Sequence, residues 1–173
     1  MKNFPFDNYI AAVPDFPKKG ILFRDITPLL ASPEALNACL MALKEKAEQH
    51  QATHLVGIES RGFIFGVPLA QMLGLPFIPA RKPGKLPREI QEVSYALEYG
   101  SDSLNIHKED LPKGARVLIV DDLLATGGTA AACGQLVTEL GAEVAAYLFV
   151  IELVGLEGHK RLLHGPYDAL LTY

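Results

Sequence analysis

The segment Val117 to Ala130 holds two adjacent acids, Asp121 and Asp122, after an apolar run with the composition of a buried strand. A turn of small residues follows them, made of Ala125, Thr126, Gly127, Gly128 and Thr129. Its glycines leave backbone N–H groups unobstructed, its threonines add hydroxyl donors, and such a turn at the start of a helix binds phosphate. Carboxylates instead accept hydrogen bonds from donors such as the vicinal hydroxyls of a ribose. A ribose 5-phosphate would satisfy both halves of the segment.

An alternative for this segment is a plain strand-to-helix turn. Its glycines would then serve packing, and its aspartates would cap the helix or bind a solvent cation. The turn matches neither the GxxxxGKS/T pattern of a Walker A loop nor the GxGxxG pattern of a dinucleotide-binding turn. The fixed spacing between the acid pair and Thr-Gly-Gly-Thr favours phosphate binding.

Basic residues follow two other apolar runs that predict strands, at residues 54–58 and 76–80. Arg61 lies in the turn after one of them, Arg81 and Lys82 come after the next, and Lys85 lies in the Pro/Gly-rich loop beyond. Ligands of parallel α/β sheets bind beyond the carboxyl ends of the strands. We therefore expect these residues to converge with the acid pair on one site.

Strands and helices alternate along the chain, which predicts an α/β fold with a mainly parallel sheet flanked by helices. Apolar spacing and cap signals predict helices at residues 33–50, 62–73, 127–140 and 156–164. Apolar runs predict strands at residues 54–58, 76–80, 116–120, 143–153 and 169–172. Alternating residues at 93–99 and 103–107, around Gly100 and Ser101, predict an antiparallel ribbon.

Length and composition are typical of one folded domain, because the chain has 173 residues, of which 49% are hydrophobic and 21% charged. A formal charge of −4 argues against a nucleic-acid-binding protein, which needs a dominant basic face. The uncharged stretch Gly62 to Ala80 is interrupted by prolines and glycines, so we expect no membrane span. Cys39 and Cys133 lie on apolar helical stripes without CxxC spacing, which predicts buried free thiols and a cytoplasmic protein.

The segment Val117 to Ala130 resembles the phosphoribosyl-pyrophosphate (PRPP) signature of type I phosphoribosyltransferases. Further segments resemble the adenine-specific members of that family in the same order along the chain: FPKKGILFRDITPLL (Phe16–Leu30), GIESRGFIFG (Gly57–Gly66), RKPGKLP (Arg81–Pro87), YALEYG (Tyr95–Gly100) and FVIEL (Phe149–Leu153). The PRPP signature alone indicates only the superfamily. The segments FRDITP and YALEYG narrow the resemblance to its adenine-specific members. The resemblance implies a single domain, 1–173, of the type I phosphoribosyltransferase fold. Within it, residues 1–30 would form a small base-binding hood and residues 81–107 a flexible loop and β-ribbon.

The resemblance implies a reaction of purine salvage in which adenine and PRPP give AMP and pyrophosphate with Mg²⁺ as cofactor. Mg²⁺ would be held mainly through the substrate, with Asp121 and Asp122 nearby rather than as direct ligands. No histidine has metal-like spacing.

The cations implied to neutralise the pyrophosphate are Arg61, Arg81, Lys82 and Lys85. Arginine suits bidentate contact with phosphate oxygens, and lysine acts as a point charge. A solvated surface charge is the alternative for each, above all for Lys85. Ser60 lies in a turn that, by resemblance, presents backbone amides to the pyrophosphate through a peptide that departs from ordinary trans geometry.

Phe23 is implied to stack on adenine, with backbone groups of Leu22 and Arg24 reading the edge of the base. Core packing is the alternative for Phe23. Glu98 matches the acid/base residue of the family, and Tyr99 would lie beside it on a segment that closes over the site. A surface strand carboxylate is the alternative for Glu98.

Two alternative functions are considered: a phosphoribosyltransferase for another purine such as xanthine, and a PRPP-sensing regulator without catalysis. The absence of a DNA-binding module in the sequence and the presence of the base-reading segment argue against the regulator. The resemblance also implies a homodimer. Asn105 stands where many relatives carry an acid, and we expect it on the surface.

Overall fold

A computed structural model describes residues 4–96 and 101–173 of the chain. The chain divides into two compact units, of which the first ends at Ala42 and the second spans Leu43–Tyr173. The first unit contains short elements that the sequence patterns did not predict: a 3-10 helix (Phe6–Tyr9), the antiparallel strands β1 (Ala11–Pro14) and β2 (Leu22–Asp25), and helix α1 (Thr27–Ala31). Helix α2 (Pro33–Ala47) begins in this unit, where the Ser32 side chain accepts a hydrogen bond from the Ala35 N–H at 3.2 Å.

The second unit is built on a five-stranded parallel sheet, which confirms the predicted fold class. Its elements in chain order are β3 (His54–Ile58), α3 (Gly62–Leu73), β4 (Phe77–Ala80), β5 (Ile90–Ala96), β6 (Ser101–His107), β7 (Arg116–Leu124), α4 (Gly128–Glu139), β8 (Glu143–Glu152) and β9 (Tyr167–Thr172). The strand order in the sheet is β4-β3-β7-β8-β9. Helix α3 ends at Gly74, which adopts the left-handed conformation of a helix C-cap.

The two central strands are buried on both faces. Val117 to Val120 of β7 and Ala146 to Ile151 of β8 are at most 1% exposed. Such continuous apolar runs are expected where helices cover both sides of a parallel sheet. The core therefore holds the carboxyl ends of β7 and β8 firmly in place.

Strands β5 and β6 form the predicted antiparallel ribbon, in which Tyr95 pairs with Asp102. The apolar face of the ribbon packs in the same cluster as α4, through residues such as Leu104 and Ile106. Arg81 and Asn105 exchange two backbone hydrogen bonds, of 2.9 and 2.8 Å, and so fasten the ribbon to the loop after β4. Asn105 is 1% exposed, so its predicted surface position is wrong.

Two predicted elements differ most from the structure. Strand β7 continues to Leu124 instead of ending at Val120, because β8 pairs with it as far as Leu124 and Glu152. Both acids of the signature are thus strand residues. The predicted helix 156–164 is replaced by two 3-10 helices, Val154–Leu156 and Gly158–Arg161, which are separated by Glu157 in a left-handed conformation.

Cys39 and Cys133 are free and buried, as predicted. Among residues 4–96 and 101–173, no helix is both long and apolar enough to cross a membrane.

Candidate active site

A notch opens at the carboxyl end of β7. Strand β3 pairs with β7 only as far as Gly57 and Val120, whereas β8 stays paired beyond that point. At the notch the chain turns from β3 into α3, and a β-carbon on Gly62 would lie 2.6 Å from the Val120 carbonyl oxygen. Only glycine permits this approach. The sequence placed Gly62 in the turn after a predicted strand but gave it no individual role, and the close approach to β7 supplies one.

The turn before α3 brings a cation to the acid pair. Arg61 Nε lies 3.1 Å from Asp122 Oδ2, and the Asp122 side chain is 4% exposed. Despite this ion pair, Asp122 Oδ2 accepts no hydrogen bond from the described residues. Asp121 Oδ1 accepts a hydrogen bond from the Asp122 backbone N–H at 2.9 Å. The peptide bond between Glu59 and Ser60 is cis, as expected of a turn predicted to depart from trans geometry.

Burial and mutual repulsion act on the two acids. Burial raises the pKa of Asp121 well above its ordinary value, and the neighbouring Asp122 carboxylate raises it further. Burial also raises the pKa of Asp122, although the Arg61 guanidinium opposes this shift. A ligand that offers hydrogen-bond donors to these oxygens would stabilise their ionised form.

Residues 125–129, the turn predicted to bind phosphate and called the phosphate turn below, lie next to the acids. Arg61, Asp121, Asp122 and all five turn residues, 125–129, line one cavity of about 230 Å³. Gly127 has φ 78° and immediately precedes α4, so the turn delivers the free N–H groups of the helix N-terminus to the cavity. The structure therefore brings Arg61 together with the acid pair and the turn of the predicted signature.

A second glycine, Gly158, forms the wall behind the turn. A β-carbon on Gly158 would lie 2.1 Å from the Ala125 carbonyl oxygen. The adjacent His159 is held by Glu152, whose Oε1 lies 3.0 Å from His159 Nδ1. The sequence did not predict that Gly158 or His159 lies at the site, because the contact between Gly158 and Ala125 joins segments that are far apart along the chain.

Glu59 gathers the cations that follow β4. Arg81 Nη2 and Lys85 Nζ lie 3.2 and 2.6 Å from Glu59 Oε1. The Lys82 backbone N–H donates to Glu59 Oε2 at 2.9 Å. Burial would raise the pKa of Glu59, but the hydrogen bonds from these residues outweigh burial and lower it to about 2. The Lys82 ammonium itself points to the ribbon, where it contacts Asp102 and Tyr95.

The residues predicted to contact the base lie in β2 of the first unit. Phe23 is partly exposed and packs edge-on against Phe16, with ring centroids 5.1 Å apart. Leu22 is exposed, and Arg24 is partly exposed. The predicted catalytic residues Glu98 and Tyr99 lie outside the described residues.

Within the described ranges, no group of three or more His, Cys, Asp or Glu side chains is arranged to hold a metal ion. Asp121 and Asp122 together offer only oxygen atoms, which is the ligand chemistry that Mg²⁺ prefers.

Comparison with known proteins identifies relatives over nearly the whole chain. The phosphoribosyl transferase domain family matches residues 25–163. Adenine phosphoribosyltransferase of Francisella philomiragia is 58% identical over 166 residues, which are 95% of each protein. Adenine phosphoribosyltransferase of Thermoanaerobacter pseudethanolicus superimposes with a TM-score of 0.94 at 47% identity, over 97% of this chain and 98% of that one. The Saccharomyces cerevisiae enzyme, complexed with an imino-altritol bisphosphate and adenine, has a TM-score of 0.92 at 43% identity, over 95% and 96% of the two chains.

Proposed function

The chain belongs to the adenine phosphoribosyltransferase family, and we propose that it transfers the 5-phosphoribosyl group of PRPP to adenine, releasing AMP and pyrophosphate. The observation that carries this proposal is the single cavity in which Arg61, the acid pair and the phosphate turn meet. Few ligands other than a ribose 5-phosphate need sugar-binding carboxylates and a phosphate-binding helix N-terminus so close together.

The reaction replaces the bond from the anomeric carbon to pyrophosphate with a bond to a nitrogen of adenine. Positive charge grows on the sugar in an oxocarbenium-like transition state while negative charge grows on the leaving group. Asp121 and Asp122 would accept hydrogen bonds from the ribose hydroxyls and favour the positive charge on the ring. The phosphate turn would fix the 5-phosphate, so that the sugar is held at both ends.

Arg61, Arg81, Lys82 and Lys85, with the backbone at Ser60, would bind the departing pyrophosphate. The position of Arg61 in the lining of the cavity, beside Asp122, supports this role. Glu59 holds two of the other cations, Arg81 and Lys85, close together beside the end of β3. Their clustering limits the rearrangement needed when the anion arrives.

The residues fit Mg²⁺ bound through the substrate. Asp122 Oδ2 is buried without a hydrogen bond from the described residues, and it could accept one from a metal-bound water or a ribose hydroxyl. Bound Mg²⁺ would neutralise charge on the pyrophosphate oxygens as a Lewis acid.

For the base we propose that Phe23 stacks on adenine while backbone groups of Leu22 and Arg24 read its edge. A 6-oxo purine would reverse the donor and acceptor at that edge and leave a buried group unpaired. Glu98 would accept the proton that adenine loses, and Tyr99 would help to exclude water.

We further propose a cytoplasmic homodimer. The two buried free thiols suit a reducing compartment. The exposed face of α3 carries Ile64 and Val67, which are 40% and 50% exposed and one helical turn apart, and this face would suit a second subunit.

One assay tests the function. Purified protein with Mg²⁺ and PRPP is given adenine, hypoxanthine, guanine or xanthine, and nucleotide and pyrophosphate are measured. We expect turnover with adenine and at least about a hundredfold lower kcat/KM with the 6-oxo purines. Preference for xanthine, or PRPP binding without pyrophosphate release, would contradict the proposal.

A further inference from the structure

The ribbon carries a hydroxyl that contacts two of the proposed anion-binding side chains at once. Tyr95 Oη accepts a hydrogen bond from Lys82 Nζ at 2.8 Å and lies 3.3 Å from Thr129 Oγ1 as its acceptor. It donates to Asp102 Oδ2 at 3.2 Å. A phenol has one proton and two lone pairs, so these three contacts use its full hydrogen-bonding capacity.

The ribbon also carries a carboxylate that binds the same ammonium. Lys82 Nζ donates to Asp102 Oδ2, and both side chains are about one third exposed. Asp102 is fixed in place by its own backbone, because its Oδ1 accepts a hydrogen bond from the Ser103 N–H at 2.8 Å. The Lys82 hydrogen bond lowers the pKa of Asp102, so the carboxylate is ionised at neutral pH.

A pyrophosphate that binds Lys82 competes with this carboxylate for the positive charge of one ammonium. Two of its three N–H groups already donate to Asp102 and Tyr95, and at close range the two anions repel each other. The hydroxyl of Tyr95 extends the competition to Thr129, since a threonine that donates to Tyr95 cannot donate the same proton to a phosphate.

We infer that Asp102 and Tyr95 set the affinity for PRPP. Asp102 acts as an internal anion that PRPP displaces from Lys82, and Tyr95 links that exchange to Thr129 in the phosphate turn. The inference rests on the proposed function, which supplies the identity of the incoming anion. A role in which Asp102 only orients Lys82 for the substrate has the opposite consequence, because removal of Asp102 would then weaken binding.

The test is Asp102→Asn, which keeps the shape of the side chain and removes its charge. Calorimetric titration with Mg²⁺ and PRPP, without adenine, should give a Kd about fivefold lower than that of the unaltered protein. The Kd for AMP should not change, because AMP has no pyrophosphate. Unchanged or weaker PRPP binding would overturn the inference.

Two controls isolate the contact. Glu89→Gln removes the same charge from the base of the ribbon, where Glu89 is exposed and paired with Lys108, and it should leave the Kd for PRPP unchanged. In a Lys82→Met background, Asp102→Asn should have a clearly smaller effect, because only the direct repulsion between the two anions remains to be relieved. If the fivefold change in Kd for PRPP persisted in the Lys82→Met background, or appeared in Glu89→Gln, net charge would explain it. That result would overturn the inference.

Tyr95→Phe tests the link to the phosphate turn. It leaves the Lys82–Asp102 pair in place but frees the Thr129 hydroxyl, so AMP should bind about twofold more tightly. Unchanged AMP affinity would remove Tyr95 from the inference. Turnover of the unaltered protein with adenine, measured alongside, separates the two proposals. No turnover refutes the function, whereas turnover without a change in Asp102→Asn refutes only the inference.

Discussion

Gly127 and Gly158 approach so closely that a β-carbon on Gly127 would lie 2.2 Å from the Gly158 carbonyl oxygen. The backbone of the phosphate turn therefore rests on the backbone of a 3-10 helix with no side chain between them. This contact fixes the N–H groups of the turn from behind.

Substituting Gly158→Ala should move the phosphate turn, because the new methyl group would meet the Ala125 carbonyl oxygen at 2.1 Å. We expect KM for PRPP to rise about tenfold or more, since small misplacements of binding groups are costly. Steady-state kinetics measure this. Gly155→Ala is the matched control, because nothing lies within 4 Å of a β-carbon there. Equal effects of the two substitutions would contradict the assigned contact.

Asp121→Asn should stabilise the fold and damage function. The pKa of Asp121 is raised in the folded protein, so its contribution to stability falls as pH rises from the ordinary value toward the raised one. At pH 7 the amide should increase the free energy of unfolding, while turnover falls at least about tenfold. Denaturant unfolding and kinetics check both effects.

Asp168→Asn should change the stability of the fold in the opposite direction. Burial would raise the pKa of Asp168, but hydrogen bonds from His50 and Lys46 lower it, so its charge stabilises the fold. This variant should be less stable at pH 7 than the unaltered protein. If both Asp variants shifted stability in the same direction, the argument from burial and repulsion at Asp121 would be wrong.

Glu59 should make stability depend on acid pH. Its folded pKa is about 2 against an ordinary value of 4.5, so its contribution is present above pH 4.5 and is lost as pH falls toward 2. The midpoint of thermal unfolding should therefore fall less steeply between pH 4.5 and 2 in Glu59→Gln. Glu89→Gln, at an exposed pair, should change the slope less. Identical slopes for Glu59→Gln and the unaltered protein would be evidence against the cation cluster.

The two thiols should be unreactive in the folded protein. Burial raises the pKa of Cys39 to about 12, and burial with the nearby Asp121 raises the pKa of Cys133 further. Ellman's reagent should label neither thiol at pH 8 in native protein and both after unfolding in guanidinium. Rapid labelling of the native protein would contradict the buried positions.

The exposed face of α3 should mediate the proposed dimer. Val67→Glu places a charge at the centre of that face, and burying a charge in an apolar interface is costly. Sedimentation equilibrium should show a dimer for the unaltered protein and a monomer for the variant. Leu163→Glu, at an 83% exposed position outside α3, should remain dimeric. A monomeric unaltered protein would remove the homodimer from the proposal.

The sequence predicted the parts of the fold that depend on local pattern. The β-branched run Val117–Val120 and the apolar stretch that ends at Gly74 are local signals, and a strand and a helix formed there. The short strands β1 and β2 have only four residues each, and their pairing depends on contacts across a turn rather than on periodicity. The end of β7 was missed because charged residues usually terminate a buried run, whereas pairing with β8 carries this strand onward.

The site was predictable where its functional groups come from consecutive residues, as in the acid pair and the turn that follows it. It was not predictable where contacts cross the fold. Gly158, Glu59 and Asp102 reach the site through tertiary contacts with residues more than 15 positions away, and no local pattern predicts such contacts.

Because β7 extends through both acids, the proposed contacts to the sugar and to the phosphate come from two different elements. The acids proposed to bind the sugar belong to the strand that pairs with β8, whereas the amides proposed to bind the phosphate belong to a separate turn beyond it. A protein engineer could therefore redesign that turn for a bulkier or differently charged anion and still retain the proposed contacts between the acids of β7 and the pentose.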